Sequence, residues 1–375
     1  MYKIPLFDLN YGKEEEEAVL NTLRSKWISM GPNVSKLEEE FAKHLNIKHT
    51  IAVTNCTASL HLALKILGIK EGDEVIVPSL TFVATVNSVR YVNAIPVFAD
   101  ITSYENFSIN PDDIEKKITT RTKAIIAMHY GGFACDMDKI MEIARQHNLF
   151  IIEDAAHAPD SKYKGMKLGT IGDIGCFSFF SNKNITCAEG GVLATNKDEY
   201  AKKAKLLRAH GMTSLSYDRA KGHATKYDVV ELGYNYRMDD IRGALALTQF
   251  RKLKEDVEKR EKLRQIYLKE LENIEDIIIP YKNHPYKSTN YVFPIVLKNS
   301  NAEKRDRVRQ KLAEAGIQTS VHYPAVHRFS IYEKYKVDLP LTDYVTDNEI
   351  TLPMYNRLKF NEIMYICNKL KEFIK

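Results

Sequence analysis

An alternation of strand-length apolar runs with helical segments constrains the fold of this chain more than any other feature. HTIAVTN, DEVIVPS, IPVFAD, TKAIIAMHY and LFIIEDAA are each rich in isoleucine and valine, and helix-patterned stretches such as TASLHLALKILGI and DMDKIMEIARQHN separate them. Runs of that kind, apolar without strict alternation, suit strands buried on both faces. They predict an α/β fold with a mostly parallel sheet sandwiched by helices. CFSFFS and GGVLATN add two more strand candidates. From Met238 the texture changes to one long helical pattern, MDDIRGALALTQFRKLKEDVEKREKLRQIYLKELENI, with no internal proline. A strand (TNYVFPIVL), a helix (AEKRDRVRQKLAEAG), a strand (IQTSVHYP) and a final amphipathic helix (FNEIMYICNKLKEFI) follow. The expected division is a large domain over residues 1–245 and a smaller C-terminal α+β domain over 246–375. The second begins in the long helix, and the N-terminal segment is expected to pack on it.

Composition narrows the function classes. The 54 basic and 49 acidic residues nearly cancel, leaving a net charge of +5 with no long Lys/Arg block. Nucleic acid is therefore not an expected partner, although an anionic small substrate is compatible. The five cysteines, Cys56, Cys135, Cys176, Cys187 and Cys367, are far apart without a CxxC pair, so reduced thiols are expected and a metal site is not. MYKIPLFDLNYGKEEEE lacks the basic and apolar regions of a signal peptide, and no apolar run reaches membrane-spanning length. A cytoplasmic protein without membrane association is the expectation.

In open α/β sheets, functional groups gather at the carboxyl ends of strands. Asp154 ends the run LFIIED, where a carboxylate is costly unless a cation faces it; capping of a following helix is the commoner role. Thr57, Ala58 and Ser59 open a helix straight after a strand, where free N–H groups and the helix dipole suit a phosphate, or where Thr57 simply caps. Phe82 follows another strand end and suits either core packing or stacking on a planar ring. Lys183 lies between CFSFFS and the glycine pair of CAEGG, with Ser178 five residues before it as a hydroxyl for an anion. A phosphate site, an aromatic plate, a buried carboxylate and a lysine are what pyridoxal 5'-phosphate requires. The lysine forms the Schiff base and the carboxylate keeps the pyridine nitrogen protonated.

These blocks, in this order, resemble the sugar aminotransferases of the DegT/StrS family, fold-type I pyridoxal phosphate enzymes. The resemblance spans nearly the whole chain and rests on GDEVIVPSLTFVAT, HYGGFACDMD, IIEDAAHA, CFSFFSNKNITCAEGG, LRAHG and LGYNYRMDDIRGALAL. HYGG, EDAAHA, KNITCAEGG and GYNY are most similar to members that aminate the 4-keto position of a UDP-linked pentose in lipid A modification. The resemblance implies that Lys183 is the Schiff-base lysine and Asp154 the partner of the pyridine nitrogen. It places Phe82 against the ring, His157 near the ring's phenolic oxygen, and Thr57, Ala58 and Ser178 at the phosphate. Asn235, in GYNYRM, matches a residue that reaches the phosphate from a neighbouring subunit, which implies a homodimer with shared active sites. Cys56 departs from the glycine of many relatives, a change that other members tolerate. Some members carry histidine in place of the lysine and are sugar dehydratases; this chain keeps the lysine.

The implied reaction moves an amino group from an amino acid, expected to be glutamate, to a nucleotide-linked keto sugar at C4. Substrate candidates by resemblance are Met30 in WISMGP, Tyr217 and Arg219 in YDR, Arg237, and His322 and His327 in VHYPAVH; a packing role for any of them is nearly as common. An aminotransferase of a cyclitol or another keto ring, and a pyridoxal phosphate-binding regulator without turnover, are the competing readings.

Overall fold

The computed structural model describes residues 2–213 and 227–374. Seven strands form the central sheet: β1 (His49–Val53), β2 (Glu74–Pro78), β3 (Ile95–Ala99), β4 (Thr122–Met128), β5 (Phe150–Asp154), β6 (Ile174–Ser178) and β7 (Gly191–Thr195). Their spatial order is β1-β7-β6-β5-β4-β2-β3. Only β7 opposes the others, pairing antiparallel with β1 and β6; the remaining pairs are parallel.

Every strand alternates its side chains between two apolar layers. Ala52, Ile125, Ile151, Phe177 and Val192 enter one layer, while Ile51, Val53, Ile126, Ile152, Cys176 and Leu193 enter the other. Both faces are dry, which is why the runs read as continuously hydrophobic. Each fully buried Ile or Phe contributes about 1.5–3 kcal/mol. All five cysteines are buried and unpaired.

The long helix runs from Asp240 to Leu271, and the Asp239 side chain caps it by accepting from the Arg242 N–H at 2.9 Å. Ala246, Leu247, Leu253 and Val257 join the sheet's core, whereas Leu263, Tyr267 and Leu271 join a separate C-terminal core. The helix thus passes from one core into the other. At the crossing, Asp256 and Arg260 form a buried ion pair at 2.7 Å, and Arg260 also donates to the Met354 carbonyl at 2.9 Å.

The C-terminal core is covered by a three-stranded antiparallel sheet, β8 (Ile277–Ile278), β9 (Phe293–Leu297) and β10 (Glu349–Leu352), in that order. β10 is an element that the sequence pattern did not reveal. Conversely, IQTSVHYP is not a strand: Ile317 makes one bridge to Ile4 and Ser320 one to Thr351. The ladder stops there because side chains take the next backbone groups. The His322 N–H donates to the Glu349 carboxylate at 2.9 Å, and the Tyr130 hydroxyl donates to the His322 carbonyl. The N-terminus also lies on this unit, with Ile4 exchanging backbone hydrogen bonds with Gly316 and Gln318 at 2.9 Å. Among the described residues, no helix is long and apolar enough to cross a membrane.

Candidate active site

The carboxyl edge of the sheet gathers the chemistry. β5 ends at Asp154, which pairs in register with Met128 on one side and Cys176 on the other. Its Oδ2 accepts from the Thr85 hydroxyl at 2.7 Å and its Oδ1 from the Ala156 N–H at 3.1 Å. Asp154 therefore closes a turn and caps no helix. Thr85 gives its proton to Asp154, so the 2.7 Å contact between Thr81 and Thr85 is a donation from Thr81. Burial raises the Asp154 pKa, while these donors and the charges of Lys183 and His129 pull it back. The neighbouring Glu153 points to the opposite face of the sheet. It accepts 2.7 Å bonds from the N–H groups of Gly169, Ile171 and Gly172, together with a 2.9 Å contact from His129 Nε2.

Lys183 lies on the turn after β6, where its N–H donates to the Phe180 carbonyl at 2.9 Å. Its ammonium stands 4.1 Å from the centroid of the Tyr291 ring. Among the described residues no direct ion pair joins it to Asp154. Burial lowers its pKa from 10.5 to about 7, against the opposing pull of Asp154 and Cys56. A substantial fraction of this lysine is therefore a neutral amine at neutral pH.

Aromatic rings surround the amine. His157 stacks on Tyr291 at 4.1 Å between centroids, with 25° between planes. The Gly131 N–H donates to its Nδ1 at 3.2 Å, so Nε2 carries the ring proton and donates to the Tyr323 oxygen at 3.0 Å. That arrangement leaves the Tyr323 hydroxyl proton for a third partner. Burial, then the Lys183 and His322 charges, hold His157 well below its ordinary pKa, and burial and Lys183 push His322 down to about 3. Phe82 stands at the rim, 56% exposed, with its ring 6.0 Å from that of Tyr323.

The helix Cys56–Ile66 begins directly after β1. Its cap is Asn55, whose side chain accepts from the Ala58 N–H at 2.8 Å, so Thr57 does not cap. The N–H groups of Cys56 and Thr57 have no hydrogen bond among the described residues and form the positive end of the helix. Gly191 lies between this terminus and Ser178, pairing in register with Val53 and Ser178. A Cβ at Gly191 would come within 2.5 Å of the Asn55 carbonyl carbon, so only glycine lets β7 approach. Ser178 is buried at the end of β6, and its hydroxyl accepts from the Phe180 N–H at 3.4 Å.

Lys183, Asp154, His157, His322, Phe82, Thr57, Ala58 and Ser178 thus come from strand ends, a helix start and the loops at one edge of the sheet. Other candidates have different surroundings. His327 is buried, with Nδ1 2.7 Å from the Ser79 hydroxyl and Nε2 3.3 Å from Asp343, so both ring nitrogens are engaged in packing. Met30 packs partly buried against the main core, and its carbonyl accepts from Trp27. Arg237 forms a backbone bridge to Val53, and Asn235 is exposed and bridges Ala209. Tyr217 and Arg219 lie outside the described residues. Thr81, Thr85, Tyr291, Tyr323, Glu349 and Thr351 were not singled out from the sequence. The four-residue spacing of Thr81 and Thr85 within LTFVAT was the one signal available for the first two.

Residues 10–371 match the DegT/DnrJ/EryC1/StrS aminotransferase family. The chain is 38% identical over 375 residues to the GDP-perosamine synthase of Escherichia coli O157:H7, covering 100% of this chain and 99% of that one. It is 37% identical over 381 residues to the spore coat polysaccharide biosynthesis protein SpsC of Bacillus subtilis, covering 100% and 97%. Among solved structures, the fold superimposes with a TM-score of 0.91 on Spr1654 of Streptococcus pneumoniae in its PLP form, at 29% identity, covering 100% of this chain and 98% of that one.

Proposed function

The chain belongs to the DegT/DnrJ/EryC1/StrS aminotransferase family, whose members depend on pyridoxal 5'-phosphate, and from that premise we propose that it transfers the amino group of glutamate to C4 of a nucleotide-linked keto sugar. The observation that carries the reading is the pairing of Lys183, whose pKa burial lowers to about 7, with the buried Asp154 carboxylate, which among the described residues is in no direct ion pair. These residues fit the cofactor. Lys183 would hold its aldehyde and Asp154 its pyridine nitrogen, while the N-terminus of the helix Cys56–Ile66 and Ser178 would hold its phosphate. Phe82 and His157 would flank the ring. When bound, the cofactor supplies an electron sink for the carbon that bears the amine.

The protein's own part is proton management. Lys183, once released by the incoming amino acid, would take a proton from that amino acid's Cα as a neutral amine and return it on the same face. Asp154, fixed by Thr85 and Ala156, would keep a proton on a ring nitrogen by placing a buried carboxylate beside it. Tyr323 has its hydroxyl oriented by His157 and a proton to offer.

A homodimer completes the proposal. Phe180, Val229, Val230 and Leu232 are large apolar side chains from 42% to 83% exposed, the kind of surface a second copy covers. Asn235 of that copy would then reach the phosphate site. A panel of UDP-, dTDP- and GDP-linked 4-keto sugars, including a UDP-linked 4-keto-pentose, tests the assignment with glutamate as donor. Formation of 2-oxoglutarate together with a 4-amino product is expected. Turnover only on a free cyclitol ketone, or amination at C3, would overturn the substrate reading.

A further inference from the structure

Three hydrogen bonds connect a buried carboxylate on β10 to His322, two of them leading to its imidazole and one to its backbone N–H. The Thr351 hydroxyl contacts Glu349 Oε1, the same hydroxyl lies 2.9 Å from His322 Nδ1, and Glu349 Oε2 accepts from the His322 N–H at 2.9 Å. Glu349 is wholly buried, and among the described residues no Lys, Arg or His forms an ion pair with it. The charged and titratable groups facing it are Arg305 and Arg309 from the helix Ala302–Glu314, Tyr130 from the turn after β4, and Tyr323 beside His322. Both arginines are anchored elsewhere. Arg305 binds Asp306 at 2.7 Å and the Thr346 carbonyl at 2.9 Å, while Arg309 reaches the Thr319 carbonyl at 3.2 Å.

A hydroxyl has one proton to donate, so the direction of the Thr351 bond is set at Glu349. Against a carboxylate, Thr351 must donate to Glu349, and its oxygen then accepts from a protonated His322 Nδ1. Against a carboxylic acid, Thr351 accepts from Glu349 and donates to an unprotonated Nδ1, which moves the ring proton to Nε2. We propose that Glu349, acting through Thr351, decides which nitrogen of His322 carries the proton, and hence whether Nε2 is an acceptor or a donor toward the Lys183 site. The ring lies against that site: His322 is 4.8 Å from Tyr323 and 6.4 Å from Tyr291, the ring under Lys183. Both states are accessible near neutrality, because burial raises the Glu349 pKa to about 8 while His322 stays neutral. Glu349 and Thr351 are thus positioning residues, and His322 is the group they present. Its use toward a keto sugar rests on the aminotransferase reading; the proton's location does not.

The test is the ¹⁵N NMR tautomer pattern of His322 in the full-length protein, assigned by its absence in His322→Asn. In the wild type the proton is expected on Nδ1 well above pH 8 and on Nε2 below it. In Glu349→Gln the amide oxygen must accept from the His322 N–H. The amide NH₂ then faces Thr351, and the proton is expected on Nε2 on both sides of pH 8. Thr351→Val should abolish the pH-dependent exchange. A wild-type tautomer that does not change across pH 8, or a Glu349→Gln pattern equal to that of the wild type above pH 8, would overturn the proposal. Neither readout requires turnover, so a failed substrate panel leaves this test intact.

Discussion

Lys183 differs from Lys167, another partly buried lysine, in what holds it. Lys167 is tied to Asp160 by an ion pair, whereas among the described residues Lys183 has an aromatic face beneath its ammonium and a carboxylate at a distance. An amine held that way can exchange its proton, and one in a tight ion pair cannot do so cheaply. Lys183→Ala is accordingly expected to retain no cofactor mass after borohydride reduction and to lose transamination; intact-protein mass spectrometry reads the first. Asp154→Asn is a subtler change. Its amide oxygen can still accept from Ala156, and Thr85 can reverse its bond to Thr81 so that the new NH₂ finds an oxygen. The fold should survive while the charge is lost. Single-turnover rates with glutamate should fall about 10²-fold or more, the scale of removing one well-placed stabilising group; an unchanged rate would remove Asp154 from its proposed role. Both residues were legible because they follow apolar runs that end at the sheet's carboxyl edge. His327 was read as equivalent to His322 because both lie in VHYPAVH. No spacing rule reveals that Ser79 and Asp343 occupy one ring and leave the other facing Lys183.

At the level of elements, the seven strands of the sheet were readable because both of their faces are dry, which concentrates Ile and Val into runs that survive without any alternation. β10 was not, for the opposite reason. Glu349–Leu352 is four residues long, two of them polar; its ladder is supplied by β9, and its other edge makes the bridge from Thr351 to Ser320. IQTSVHYP has strand composition but spends its backbone on Glu349 and Tyr130. The unread strand and the failed strand meet at the Glu349–Thr351–His322 relay, so local pattern was least informative where side chains replaced ladder bonds. The glycine at the start of β7 allows a direct check of how closely the elements fit. Gly191→Ala would bring a Cβ to 2.5 Å from the Asn55 carbonyl carbon and 2.6 Å from the Cys56 nitrogen, both backbone atoms that cannot rotate away. Moving the helix terminus should cost about 1–3 kcal/mol. The urea midpoint of the cofactor-free protein should fall, and cofactor affinity should fall with it; full stability together with unchanged affinity would mean that the terminus tolerates displacement.

The whole molecule carries a pH signature set by four imidazoles of depressed pKa, with His129, raised to about 10, and Glu349, raised to about 8, acting in the opposite sense. His322 lies at about 3, His61 and His284 at about 4, and His157 well below its ordinary value, each chiefly through burial. Their folded pKa values are depressed below the unfolded value of 6.5, so between about pH 4 and 6.5 the unfolded chain binds protons that the folded chain refuses. Stability should therefore fall as pH drops through that window, by up to about 1.4 kcal/mol per pH unit for each fully engaged histidine. Urea midpoints at pH 5 and 7 check the sign. Lys183 acts in the same direction higher up, because its depressed pKa of about 7 makes its contribution improve as pH rises from there toward 10.5. Assembly allows the sharper test. If Asn235 of one copy serves the Lys183 site of another, Lys183→Ala and Asn235→Ala each damage different halves of the same site. In a mixed dimer, one site then receives both defects and the other receives neither. Random reassortment of equal amounts makes half of the dimers mixed, so about a quarter of wild-type activity should return after unfolding and refolding the two inactive variants together. Sites built within one chain would return none, because every site would then keep the single defect of its own chain. The quarter also separates a shared site from mere dimerisation, since a dimer of self-sufficient subunits stays inactive in the mixture.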